Sequence, residues 1–224
     1  YSRSADLDED WRPLIAAFAS HQRPGDLVIH SYDWIEGYLY SYLQSGSEPD
    51  YLHYVKGEED VLASAVANHN RMWFMDYLGS PFNVGNQAGE IIRSRAAAAY
   101  SKGFGNAHLT LFILPSYVLN TFDVASASSA RFESGIGLQW TPVEAEVNNG
   151  DAIAVELVWQ APENTLPQYQ VFLHVVDRVG RLITNRDSGP VNDLRPTHSW
   201  APHERVPSLH ALLLPADLPE GSYQ

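Results

Sequence analysis

His30, Tyr32 and Asp33 are the first residues of this chain whose types and spacing suggest chemistry. They follow Leu27-Val28-Ile29, a short apolar run that reads as a buried strand ending at His30. An imidazole, a phenol and a carboxylate within four residues can bind a polar ligand or exchange protons with one. If the strand lies in a parallel sheet, these groups sit at its carboxyl end, where open α/β sheets hold ligands. The plainer reading is that Ser31 or Asp33 caps the helix that follows. No Gly-x-Gly-x-x-Gly and no P-loop lysine accompany the strand, so dinucleotide binding of the usual sort is not expected, nor is any other cofactor. The loop from Gly79 to Asn86 offers backbone amides for an anion, although turn preferences alone account for its composition.

Metal chemistry finds little support. His198, His203 and His210 fall at spacings that match no standard zinc pattern, and no helical pair of histidines one turn apart occurs. Asp177, Asp187 and Asp193 lack the alternating oxygen-ligand pattern of a calcium loop, so no metal is expected. Neither a Gly-x-Ser-x-Gly elbow nor an outstanding carboxylate pair is present, which leaves no catalytic residue to name. Trp140, Trp159 and Trp200 carry aromatic faces of the kind that stack on sugar rings. Trp159 is in phase with core residues and is expected to be buried. Trp200, in a Pro-rich loop, is expected to be exposed, and it joins His30, Tyr32 and Asp33 as a candidate ligand-binding residue.

The elements that must position these groups change character near residue 120. In the first part, Trp11, Leu14, Ile15 and Phe18 recur at helical spacing behind Asp8-Glu9-Asp10, and Pro24-Gly25-Asp26 ends that pattern before the first strand. Trp34 to Leu43 reads as a second helix, 51–55 as a strand, 58–68 as a helix and 71–75 as a strand. The Ala-rich stretch 87–101 reads as a fourth helix, and 108–114 as a fourth strand. This alternation predicts a Rossmann-like, mostly parallel α/β sheet over residues 1–119.

Residues 120–224 lose the helical period. Residues 125–130 read as a small-residue linker, and strands are expected at 153–159, 171–176, 182–185 and 209–214. Asn148-Asn149-Gly150-Asp151 and Asp177-Arg178-Val179-Gly180 supply turns. Both faces of 171–176 are apolar, which predicts a central strand. The pattern is that of an immunoglobulin- or jelly-roll-like β-sandwich. Its last strand is expected to be missing, because the sequence stops where Gly221-Ser222-Tyr223-Gln224 would begin one.

Composition narrows the function classes. The chain has 224 residues, 45% hydrophobic, and a net charge of -13 from 14 basic and 27 acidic residues, spread over both halves. Such a surface excludes a phosphate-backbone binder, so no nucleic acid partner is expected. No cysteine is present, so disulfides and thiolate chemistry are ruled out.

Asn149-Gly150-Asp151, Val155 to Trp159, Tyr169 to Gly180, Asp187, Pro190, Pro196 to Pro202 and Leu214 to Tyr223 form one set of stretches, and Asp10-Trp11, Pro24-Gly25-Asp26 and Arg71 to Phe74 another in the first half. Together they resemble the soluble extracytoplasmic C-terminal region of bacterial polytopic membrane glycosyltransferases of the dolichyl-phosphate-mannose mannosyltransferase-like (GT-C) type. His203-Glu204, where Gly-Glu is the pattern, and Pro207-Ser208, where Asp is usual, depart from it. The resemblance implies that the catalytic carboxylates lie in a membrane-embedded portion outside this chain. It further implies attachment to the cell membrane through an N-terminal transmembrane region, on the extracytoplasmic side. The chain is then expected to be inactive alone and to hold a glycan or lipid-linked sugar, or to orient an acceptor. The rival expectation is a free-standing carbohydrate- or protein-binding module of the cell surface.

Overall fold

The computed structural model describes residues 10–43, 49–78, 84–115, 123, 125–142 and 145–224. Among them are four α-helices and eleven strands in three sheets. The chain divides into two compact units, the first comprising residues up to Arg95 with 100–115, the second Ala96–Ala99 with the rest.

The first unit follows the predicted alternation closely until residue 94. Helix α1 (Arg12–His21) begins with Pro13 in its first turn, where a missing N–H costs nothing. It buries Leu14, Ile15 and Phe18. Strand β1 (Leu27–His30) is buried throughout. Helix α2 (Trp34–Tyr42), strand β2 (Asp50–His53), helix α3 (Glu59–Asn68) and strand β3 (Arg71–Tyr77) come next. β1 lies between β2 and β3 and is parallel to both. α1 packs beside α2, and α3 beside α4 (Val84–Arg93).

At the amino ends of β1 and β3 the Asp26 carboxylate is buried and fully occupied. It accepts from Arg71 Nε at 2.8 Å, from Trp73 Nε1 at 2.8 Å and from the Arg23 backbone N–H at 2.9 Å. A buried ion pair gains enough only when its remaining polar atoms are bonded as well, which this one nearly achieves. It fixes the spacing of the two strands from the end opposite to His30.

Two expectations for this unit need correction. The Ala-rich stretch is not helical to residue 101: α4 ends at Arg93 and Ala97–Phe104 is strand β4. Ala97 and Ala99 are buried while Ala98 and Tyr100 are less so, the period of two that a strand requires. Gly105, with φ 59°, and Asn106 then turn the chain into β5 (Ala107–Ile113), the left-handed turn chemistry that closes a hairpin. Pairing overrides the helical propensity of alanine. The sheet is also less parallel than expected, because β5 runs antiparallel to β3. Its order is β2-β1-β3-β5-β4.

Among the described residues the second unit holds strands and the 3₁₀ turn Thr197–Ser199. The expected small-residue linker is partly strand: β6 (Ser128–Arg131) pairs with β7 (Gly137–Trp140) through a turn at Gly135, φ 86°. These join β8 (Ala152–Gln160) and β11 (Arg205–Leu213) in a four-stranded sheet, order β11-β8-β7-β6. β9 (Val171–Val176) and β10 (Leu182–Ser188) form a separate two-stranded sheet. Val175 of β9 packs with Leu212, Leu214 and Leu218, with Ile153, Leu173, Ile183 and Tyr223 around them.

β9 is therefore not the central strand its two apolar faces suggest. Among the described residues its strand neighbour is β10 alone, and Phe172 is 64% exposed. Residues 221–224 form no strand, although Val176 N–H donates to Gln224 O and Gln224 N–H to Val176 O.

Candidate functional site

The carboxyl ends of β1, β2 and β3 gather the titratable and aromatic groups of the first unit. Parallel pairing sets His30 and His53 on the same rung. Residues on one rung project to the same face about one strand spacing apart. The two imidazoles accordingly stack, ring centroids 5.4 Å apart and 11° from coplanar. His53 Nδ1 lies 2.7 Å from Asp33 Oδ1. His30 Nδ1 is 3.1 Å from the Tyr32 carbonyl and Nε2 3.1 Å from Glu36 Oε1. Each imidazole thus has a carboxylate of its own.

These distances decide between the two readings of Asp33. It occupies the position before α2, yet its side chain makes no capping bond there. It reaches His53 instead, and is 85% exposed. The Ser31 and Tyr32 hydroxyls are buried without a hydrogen bond among the described residues. Orphaned buried hydroxyls are uncommon and mark places where a further partner is expected.

Electrostatics distinguish the two histidines. Burial pushes the His30 imidazole below its ordinary value; Glu36 opposes this and His53 adds to it. Both of its neighbours are acceptors, so a neutral His30 can serve only one of them and a protonated one serves both. Stacking against His53 resists two adjacent positive rings. On β3, burial pushes the Asp76 carboxyl up, while the Tyr77 N–H and the charge of His108, its partner across β3 and β5, pull it back.

Aromatic rings surround these groups. Trp34, 41% exposed, stacks on Tyr32 at 5.8 Å and meets Tyr77, Trp11 and Tyr38 edge to face. Such edge-to-face contacts hold a ring in place without covering both its faces. The indole is thus held by Tyr32, Tyr77, Trp11 and Tyr38 at the start of α2, the helix that also supplies Glu36 to His30.

His30, Tyr32 and Asp33 are thus brought together, and Trp200 is not with them. Trp200 sits in the second unit, 9% exposed, packed with Ile136, Trp159, Leu166 and Val206, its Nε1–H bonded to the Arg195 carbonyl. The expected exposure is corrected: the Pro-rich loop folds the ring inward and satisfies its one polar atom. Trp159 shares that core. His198 lies in the 3₁₀ turn, His203 in a left-handed turn with φ 59°, and His210 on β11, so these three do not converge. Among the described residues no group of three or more His, Asp or Glu side chains is placed to hold a metal ion. Most of the Gly79 to Asn86 loop falls outside the described residues.

The sequence reading missed His53, Glu36, Trp34 and Tyr77. One signal was available for His53: it closes the second strand of the alternation as His30 closes the first. Glu36 lies on α2 three positions after Asp33 and so on the same helix face, whereas Trp34 directly follows Asp33 and does not share its face. No family model, curated protein or solved structure matches the chain.

Proposed function

We propose that this chain is the non-catalytic extracytoplasmic module of a membrane glycosyltransferase and that it holds a glycan, or the sugar of a lipid-linked donor, at the carboxyl ends of β1, β2 and β3. The same reading takes the first unit as Rossmann-like and the second as an immunoglobulin- or jelly-roll-like sandwich. The observation that carries the binding role is what gathers at these strand ends: His30 and His53 stacked on one another, Glu36 and Asp33 each against one of them, and at the start of α2 the Trp34 ring, 41% exposed and held by Tyr32 and Tyr77. Sugar rings present C–H faces to an indole and hydroxyls to carboxylates, and both contacts are available here. The assignment to a membrane glycosyltransferase rests on the sequence resemblance.

The site's charge selects within that class. Asp33 and Glu36 disfavour a phosphate, so contact is with the sugar and not with the polyprenyl phosphate. Calorimetric titration of the purified chain with neutral hexoses and oligosaccharides should give saturable binding. Trp34→Ala should weaken it by about tenfold, the scale of one lost stacking contact. Asp33→Asn should weaken it while leaving the fold intact, because that side chain is exposed. Absence of saturable binding to any neutral sugar would sink the proposal. The isolated chain should transfer no sugar, and detectable transfer would contradict the non-catalytic role.

A further inference from the structure

The connections that leave the carboxyl ends of β2 and β3 each place a large apolar side chain in the open. Val55, just past β2, is 45% exposed, and Leu78, the residue after β3, is 61% exposed. Both are held by their backbone. The Tyr54 N–H donates to the His30 carbonyl at 2.8 Å, and the Glu58 N–H to the Val55 carbonyl at 3.1 Å, closing a turn through Gly57, φ 99°. The Leu78 N–H donates to the Asn106 carbonyl at 2.7 Å. Because β1 lies between β2 and β3 and is parallel to both, Val55 and Leu78 flank it on opposite sides at one end of the sheet. Trp34 follows β1 at that end, and Val61, 50% exposed, lies in the first turn of α3 there. Among the described residues of the first unit, the other exposed large apolar side chains are Tyr40 and Tyr42, farther along α2.

The titratable groups sit between these flanks: His30 and His53 at the ends of β1 and β2, with Glu36 and Asp33 against them. A surface made for another protein ordinarily has the reverse order, an apolar centre inside a polar rim. A membrane surface accepts this one, because apolar side chains on the flanks enter the interfacial layer while the middle faces the headgroups. Asp33 is 85% exposed and the chain carries -13, which opposes an anionic surface. Lys56, exposed beside Val55, offers a cation to a headgroup phosphate.

We propose that the carboxyl end of β1, β2 and β3 seats on a zwitterionic lipid surface through Val55 and Leu78, so that the sugar held there is one carried by a lipid and presented from that surface. The inference rests on the sugar-holding role proposed above and narrows it from glycans in general to lipid-linked sugars. Two side chains make a weak contact by themselves, sufficient for a module tethered to the same membrane.

The test is cosedimentation of the purified chain with phosphatidylcholine vesicles at millimolar lipid, beside calorimetric titration with a soluble neutral oligosaccharide. The chain should pellet with the vesicles. Val55→Ser combined with Leu78→Ser should lower the partition coefficient by about tenfold or more, the scale of two part-exposed apolar side chains lost from the contact. Both side chains are exposed, so the double variant should fold and bind the oligosaccharide as the parent does. Failure of the parent to pellet, with oligosaccharide binding intact, would overturn the membrane seat and leave the sugar-holding role standing. Undiminished pelleting of the double variant would also overturn it, since the contact would then lie elsewhere. A doubled mass by sedimentation that the double variant loses would make these flanks a protein interface and contradict the proposal. Pelleting that depends on both residues, without oligosaccharide binding, would instead sink the sugar-holding role and the lipid-linked sugar with it.

Discussion

His210 shows most plainly how a single side chain sets a property of this protein. It lies on β11 two residues after Ser208, so both project to one face, and both are buried. The Ser208 hydroxyl bonds His210 Nε2 at 2.8 Å and accepts the Val191 N–H at 2.9 Å. Val191, Asn192 and Asp193 all have positive φ, a strained left-handed turn that the bond from Val191 N–H and the bond from Gly189 N–H to Asp193 Oδ1 help to hold. A charged ring here would be buried with only the Ser188 and Ser208 hydroxyls at its two nitrogens. Burial depresses the His210 value from 6.5 to about 4, with Asp193 opposing. The group binds its proton more readily unfolded than folded, so its contribution is complete above about pH 6.5 and is lost as pH falls toward 4. Chemical denaturation at pH 7.5 and at pH 4 should differ by about 3 kcal/mol from this group alone, a difference that His210→Asn should largely abolish. At the same scale, Trp200→Ala should cost about 3–5 kcal/mol of unfolding free energy through the cavity it leaves. It should leave sugar affinity unchanged, which calorimetry on the folded variant would check.

Elements were legible where local pattern and tertiary context agree. β1 could be read from its continuous apolar run behind Pro24-Gly25 and α3 from an apolar stripe at helical spacing, each with a clear end. β4 could not: Ala97–Tyr100 is good helix sequence, and only the hairpin closed by Gly105 and Asn106 makes it a strand. β9 misled in the opposite way, since an apolar face signals a buried neighbour only if one is there. The site was legible in part. His30, Tyr32 and Asp33 are adjacent in sequence, whereas His53 joins them by register, 23 positions away, and register has no local signature in a short strand. The Asp26–Arg71–Trp73 contact was equally hidden, joining residues 45 and 47 apart. Asp26→Asn would leave the Arg71 guanidinium buried without its counter-charge. It should cost about 3–5 kcal/mol by urea denaturation, and a cost below 1 kcal/mol would mean that the guanidinium reaches water.

At the scale of the whole molecule, two compact units share one chain and one acidic character, -13 overall. That charge argues for a neutral or cationic ligand throughout. The strand-end site meets this requirement with carboxylates and aromatic faces. No described helix is long and apolar enough to cross a membrane. The division of labour follows from the residues themselves: aromatic and titratable groups concentrate where β1, β2 and β3 end, while the second unit spends its tryptophans Trp159 and Trp200 on its own core. The measurement that tests this most directly is NMR of the intact chain titrated with a neutral oligosaccharide, following every Trp indole and His ring signal. The account predicts saturable shifts at Trp34 and His53, with smaller ones at His30. Shifts centred on Trp200 or Trp159, or none at any ring, would contradict it.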